Sequence, residues 1–202
     1  MIAEVKKASP SKGLISDDFD PVKTAQHYQE NGAACISVLT DTPYFQGSDA
    51  DFLAARKVTD IPMIRKDFMV DPYQIVESRA MGADCILIIM AALSDVQAAE
   101  LVAAAREYKL DILFETHNSE EIERTLPLNP TLIGVNSRNL KTLDVDIAMF
   151  DTLYDTLPYD CLKIAESGIQ STDTIKTLYS SGYNGFLIGE SFMRNALNLS
   201  EI

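Results

Sequence analysis

The chain has 202 residues, 47% of them hydrophobic and 23% charged, which is enough apolar material for the core of one ordinary globular domain. Its net charge of −13 argues against nucleic acid or an anionic membrane as partner, because both are bound through clustered Lys and Arg. The longest apolar stretch, Cys85 to Leu93, is about half a membrane span. No charged-then-apolar leader precedes the first predicted strand, so the cytoplasm is the expected compartment. Cys35, Cys85 and Cys161 stand far apart with no metal-site spacing and read as reduced core residues.

Short runs rich in Ile, Val and Leu alternate with amphipathic segments from end to end. The predicted strands are Ile2–Lys6, Cys35–Thr40, Met63–Lys66, Cys85–Ile89, Ile112–Glu115, Leu132–Asn136, Leu162–Glu166 and Phe186–Gly189. Helices between them open at Asp20-Pro21, Asp71-Pro72, Ser94-Asp95, Ser119-Glu120-Glu121 and Ser171-Thr172, where a side-chain oxygen can take up first-turn N–H groups or proline presets the first turn. Several close on a glycine suited to the left-handed position after a helix, at Gly32, Gly82 and Gly182. After the last strand only Phe192 to Ile202 remain to make the last helix, about three turns if all of it is helical. Unbroken strand–helix alternation with this many units predicts a closed (β/α)8 barrel, because closure aims every strand end at one mouth. No Pro- or Ser-rich linker interrupts it, so one barrel domain is expected over 1–202, with a shortened N-terminus and a truncated last helix.

Polar residues stand at alternate positions where the apolar runs end: Glu4 and Lys6, Lys66, Glu115, Asn136 and Arg138, and Glu166. Residues two apart on a strand share a face, so these extend the buried face at the C-terminal strand ends, where barrels of this kind keep their chemistry. Lysines and an arginine at a partly desolvated mouth call for an anionic ligand or internal carboxylate partners. Such surroundings also shift the ionisation of Lys and Glu as acid–base catalysis requires. A phosphate site is expected in the loops after strands seven and eight, Glu166-Ser167-Gly168-Ile169 and Ile188-Gly189-Glu190-Ser191, with Ser9 nearby. Of the two histidines, His27 reads as packing or surface and His117 as a loop residue, and neither has a metal partner. No nucleophile elbow, Walker loop or dinucleotide fingerprint is present.

These motifs, taken in order, resemble the indole-3-glycerol-phosphate synthase family over essentially the whole chain. The segments are Ile2-Ala3-Glu4-Val5-Lys6 with Ser9-Pro10-Ser11, Leu39-Thr40-Asp41 through Gly47-Ser48, Arg65-Lys66-Asp67-Phe68, Glu115-Thr116-His117-Asn118, Gly134-Val135-Asn136-Ser137-Arg138-Asn139-Leu140, Ala165-Glu166-Ser167-Gly168-Ile169 and Leu187-Ile188-Gly189-Glu190-Ser191. The resemblance implies a lyase of tryptophan biosynthesis that uses no cofactor or metal and acts on a phosphorylated small molecule. It closes 1-(2-carboxyphenylamino)-1-deoxyribulose 5-phosphate to indole-3-glycerol phosphate with loss of carbon dioxide and water. It also implies Lys66 as general acid, Lys6 on the substrate carboxylate, Glu115 in the later proton step, and Glu4, Asn136, Arg138 and Glu166 orienting them. Ser9, Ser167, Gly168, Gly189, Glu190 and Ser191 would bind phosphate, and Phe45 and Leu187 would wall the aromatic ring. The family carries an extension before strand one, so the clipped ends point to a piece of a longer enzyme, or to fusion or association with phosphoribosylanthranilate isomerase. The competing readings are another phosphate-handling barrel, either a phosphoribosylanthranilate isomerase-like enzyme or a Schiff-base aldolase using Lys66, and an inactive phosphate-binding barrel.

Overall fold

The computed structural model describes residues 1–194 and 196–202, Glu201 by its backbone only. Its strands are β1 (Ile2–Val5), β2 (Cys35–Leu39), β3 (Met63–Lys66), β4 (Cys85–Ile89), β5 (Asp111–Thr116), β6 (Leu132–Asn136), β7 (Leu162–Glu166) and β8 (Gly185–Ile188). They pair in parallel in chain order, and β8 returns to β1 through Ile2 opposite Leu187 and Ala3 opposite Ile188, closing the barrel. Strand boundaries lie within two residues of the predicted ones.

Pleating sends alternate side chains inward and outward. Outward residues such as Val5, Ile36, Val38, Ile88, Phe114 and Val135 pack under the helices, whereas Ile2, Ile64, Leu87, Leu113, Ile164 and Leu187 belong to a separate cluster inside the barrel. Pairing of Glu4 with Ser37 and Ser37 with Ile64, continued round the barrel, staggers the strands so that interior residues of alternate strands come level. One such layer is Ile2, Ile64, Leu113 and Ile164. The next from those same strands, one step nearer the C-terminal ends, is Glu4, Lys66, Glu115 and Glu166. The barrel therefore ends its apolar filling in a charged layer.

The outer helices are α1 (Pro21–Glu30), α2 (Asp49–Arg56), α3 (Pro72–Ala80), α4 (Asp95–Glu107), α5 (Ser119–Thr125), α6 (Ala148–Tyr154), α7 (Thr172–Ser180) and α8 (Glu190–Met193). Asp20, Asp71, Ser94 and Ser171 cap as predicted, Asp71 and Ser94 in reciprocal boxes with Gln74 and Gln97. The α5 cap is Asn118 rather than Ser119, because the Asn118 side chain reaches the Glu121 N–H. Gly32, Gly82 and Gly182 all have the predicted left-handed φ. The last helix is truncated, as expected, and does not take up the whole of Phe192–Ile202. The chain instead forms the four-residue α8 and a separate 3₁₀ turn, Leu199–Glu201. Ala196 and Leu197 donate back to the Ser191 carbonyl, and Asn198 caps the second turn through the Ser200 N–H, so two short pieces replace one helix. Asn195 lies outside the described residues. Among those residues no helix is long and apolar enough to cross a membrane.

Arg65 precedes Lys66 and so faces outward. It is 4% exposed, with Nη2 3.0 Å from Asp49 of α2, Nη1 2.8 Å from Glu77 and 3.2 Å from Ser78 of α3, and Nε 3.3 Å from the Thr40 hydroxyl. One guanidinium thus ties two helices to the end of the strand that carries Lys66. Arg65→Ala strands these acceptors around a cavity. Asp49 and Glu77 are partly in solvent, so the expected loss is about 3 kcal/mol, the low end for breaking a buried pair, read from urea denaturation; a change below about 0.5 kcal/mol would show that the tie holds nothing.

Candidate active site at the C-terminal end of the barrel

The charged layer centres on Lys66. Its ammonium lies 3.1 Å from Glu4 Oε2, 3.2 Å from Glu166 Oε2 and 3.8 Å from Glu115 Oε2. Glu4, Glu115 and Glu166 are 1–3% exposed. Burial disfavours the Lys66 charge, but the three carboxylates outweigh it and hold the ammonium above the ordinary lysine range. Lys6 adds a second cation 2.5 Å from Glu4 Oε1. Burial opposes ionisation of Glu4 as well, yet Lys6 and Lys66 together bring it down to about 2.

Glu166 behaves differently. Burial, together with Glu115 and Glu4 nearby, outweighs its single lysine and pushes it up to about 7. Its Oε2 touches Lys66, while Oε1 is buried without a hydrogen-bond partner among the described residues. That oxygen occupies the space a side chain at Gly134 would need: a Cβ there would collide with Glu166 Oε1. Gly189, at the end of β8 two strands away, makes similar room, and a Cβ there would stand 2.5 Å from Glu4 Oε1 and 3.1 Å from Lys6 Nζ. The space at Gly189, expected to admit a phosphate, also serves these two charges. Gly134 had no signal beyond being a glycine inside a strand.

Asn136, at the end of β6, pairs in register with Glu166, favours the ionised form of Glu115, and accepts from the Arg138 N–H at 3.0 Å. Arg138 does not join the ion cluster. Its Nη1 donates to the Leu143 carbonyl at 3.0 Å, closing the loop that follows β6.

The loops expected to hold phosphate lie side by side. The Ser191 hydroxyl donates to the Ile169 carbonyl at 2.9 Å and the Ser137 hydroxyl to the Ser167 carbonyl at 3.1 Å. Ser167 and Gly168 both take left-handed φ, +68° and +73°, an unusual conformation for a serine. Ser191 therefore offers its backbone rather than its hydroxyl. Glu190 is engaged by Arg194 at 3.4 Å and Lys12 at 4.0 Å, the latter joining this corner to the loop after β1, where Ser9 is buried. Phe45 is half-buried over the mouth with its ring 6.4 Å from Phe68, which in turn meets Tyr44 at 6.1 Å. Leu187, by contrast, lies inside the barrel, 4% exposed, opposite Glu166 in register.

His117, read as a loop residue, is part of the site. Nε2 is 3.4 Å from Glu115 Oε1 and Nδ1 is 3.0 Å from Glu121 Oε2. The signal was available: His117 stands two residues after Glu115, the same alternation that marks Glu4 and Lys6. Among the described residues no group of three or more His, Cys, Asp or Glu is arranged to hold a metal ion. Chemically, the mouth offers fixed cations for an anionic ligand, ionised carboxylates, and one carboxyl poised near neutrality.

The family model described as indole-3-glycerol phosphate synthase matches residues 1–201. Curated relatives with that name include those of Azospirillum brasilense, 58% identical over 194 residues, Rhodospirillum rubrum, 54% over 196, and Zymomonas mobilis subsp. pomaceae, 52% over 197. Each alignment covers 96% of this chain and 74% of the relative. Taken with the closed barrel and its charged mouth, these matches establish that the chain belongs to the indole-3-glycerol phosphate synthase family.

Proposed function

We propose that the mouth of this barrel closes 1-(2-carboxyphenylamino)-1-deoxyribulose 5-phosphate to indole-3-glycerol phosphate, releasing carbon dioxide and water. Membership of the family supports the reaction; the observation that carries the residue roles is the Lys66 ammonium held among Glu4, Glu115 and Glu166.

In the first step the ring carbon bearing the carboxylate attacks the sugar ketone, and negative charge grows on the ketone oxygen. Lys66 is the cation positioned to meet that charge and to deliver a proton, and a preorganised charge of this kind needs no rearrangement as the barrier is crossed. Glu166, near neutrality and 3.2 Å away, is placed to return a proton to it. Lys6 takes the substrate carboxylate and holds the ring against the ketone, exchanging its contact with Glu4 for the ligand. After carbon dioxide leaves and the ring regains aromaticity, the hydroxyl departs as water and a methylene proton must be removed. Glu115, held ionised, is the base for that step. Asn136 orients Glu115, and Arg138 shapes the adjoining loop. Phe45, with Phe68 beside it, covers the aromatic ring, and Leu187 floors the site. Backbone N–H groups around Ser167–Gly168 and Gly189–Ser191, with Ser9, hold the phosphate. The three cysteines are unpaired, which fits a cytoplasmic setting.

A Schiff-base aldolase requires a neutral lysine as nucleophile. Lys66, raised by three carboxylates, is the reverse.

Lys66→Ala is expected to lower kcat by at least about a hundredfold while the circular dichroism spectrum is kept, because the carboxylates relieve their repulsion by binding protons. The assay follows indole fluorescence, unobscured in a chain without tryptophan; retention of most activity would defeat the assignment. Gly134→Ala forces Glu166 off Lys66. Both turnover and stability should fall, the latter by about 1–3 kcal/mol, with thermal melting as the check; an unchanged kcat would mean that Glu166 need not stand where it does.

A further inference from the structure

The three carboxylates of the charged layer are not served equally. Lys66 approaches Glu4 and Glu166 to 3.1 and 3.2 Å but Glu115 only to 3.8 Å, and Lys6 reaches Glu4 alone. Glu115, the carboxylate least served by lysine, is nevertheless held below the usual range. Burial opposes its ionisation, and His117, Lys66 and Asn136 more than offset that burial. Glu166 lacks such a third partner and is pushed up instead.

His117 has a geometry suited to this task. Its ring is flanked by carboxylate oxygens at both nitrogens, Glu121 Oε2 at 3.0 Å from Nδ1 and Glu115 Oε1 at 3.4 Å from Nε2. A neutral imidazole has one donor and one acceptor nitrogen, so one of these contacts would set lone pair against lone pair; two donors require the imidazolium. Glu121 is itself fixed. Its Oε2 also accepts the His117 backbone N–H at 2.8 Å, and Oε1 accepts from the Asn118 amide at 2.7 Å, both at the N-terminus of α5. Nε2 is buried and makes no hydrogen bond among the described residues, so its contact with Glu115 is one of charge. A residue serving only to anchor α5 would not need that nitrogen aimed into the mouth. With His117 charged, the layer's three carboxylates face three cations.

We propose that His117 is a positioning residue for the reaction: an imidazolium strut, anchored by Glu121 on α5, that fixes the carboxylate of Glu115 and keeps it charged for proton removal, resting on the ring-closure reading of this site. The groups facing this pair are Lys66 from β3, Asn136 from β6, Glu166 from β7, and Glu121 with Asn118 from the start of α5. Burial opposes the charge on the ring, but Glu115 and Glu121 together hold it at about 9.

Two variants test the strut through the pH dependence of turnover. His117→Gln removes the cation beside Glu115, so the Glu115 pKa rises. The acidic limb should move up by about one pH unit; Glu115 stays ionised at neutral pH, where the loss of its fixed orientation should lower kcat about tenfold with KM changing little. Glu121→Gln removes an anion beside the ring. The His117 pKa drops, and the alkaline limb should move down by about one unit. An active parent whose limbs stay unmoved in both variants overturns the strut; if His117→Gln fails to fold, Glu121→Gln decides alone. A parent without turnover would instead defeat the ring-closure reading. In that event the imidazole NMR titration, with His27 as the only other histidine to assign, still decides: an ordinary value of about 6.5 for His117 overturns the proposal, and titration near pH 9 that falls in Glu121→Gln supports it.

Discussion

The contact between one ammonium and three buried carboxylates organises the whole upper end of this barrel. None of these charges tolerates removal from water alone, and no pair of them is balanced without the others. The arrangement depends on closure. Glu4, Lys66, Glu115 and Glu166 come from β1, β3, β5 and β7, and become neighbours because the strand stagger brings alternate strands level. The site is thus the outermost layer of the same packing scheme that fills the interior with Ile2, Ile64, Leu113 and Ile164. Its main groups are held by strands rather than by mobile loops, which gives the charges the fixed orientation that electrostatic catalysis uses.

Around this layer, short-range chemistry trims the charges individually. Two lysines press Glu4 towards full ionisation, one lysine leaves Glu166 near neutrality, and an imidazole compensates Glu115. Three acids of one type in one layer thereby acquire three different proton affinities. Space matters as much as charge: the missing side chains of Gly134 and Gly189 are where the carboxylates of Glu166 and Glu4 lie.

The strands were legible because Ile, Val and Leu runs end in polar residues of constant parity, and the helix starts because Asp20, Asp71, Ser94 and Ser171 are strong caps. The family motifs then supplied roles for Lys6, Lys66 and Glu115. What escaped was information that exists only between segments. Glu121 lies on a helix, and nothing in its local pattern says that it grips His117. Gly134 resembles any strand glycine until the partner strand brings Glu166 against it. Arg138 had the right parity, but the loop that follows β6 offers the Leu143 carbonyl and turns its guanidinium aside. The terminal segment failed as one helix for a local reason: Asn198 is a cap, and a cap in mid-segment starts a new turn.

The inward lysines are matched by carboxylates, so the mouth is close to electrically neutral while the chain as a whole carries −13. A ligand with carboxylate and phosphate groups approaches a surface that repels it at long range and meets compensating charge only on arrival. Ionic strength then acts in an unaccustomed direction. At low salt the acidic exterior slows encounter; moderate salt shortens the reach of that repulsion to within about 10 Å while leaving the desolvated contacts inside nearly untouched. Capture of the anion should therefore quicken as salt is first added, so that the solubilising exterior becomes a kinetic gate set by the ionic composition of the surrounding medium.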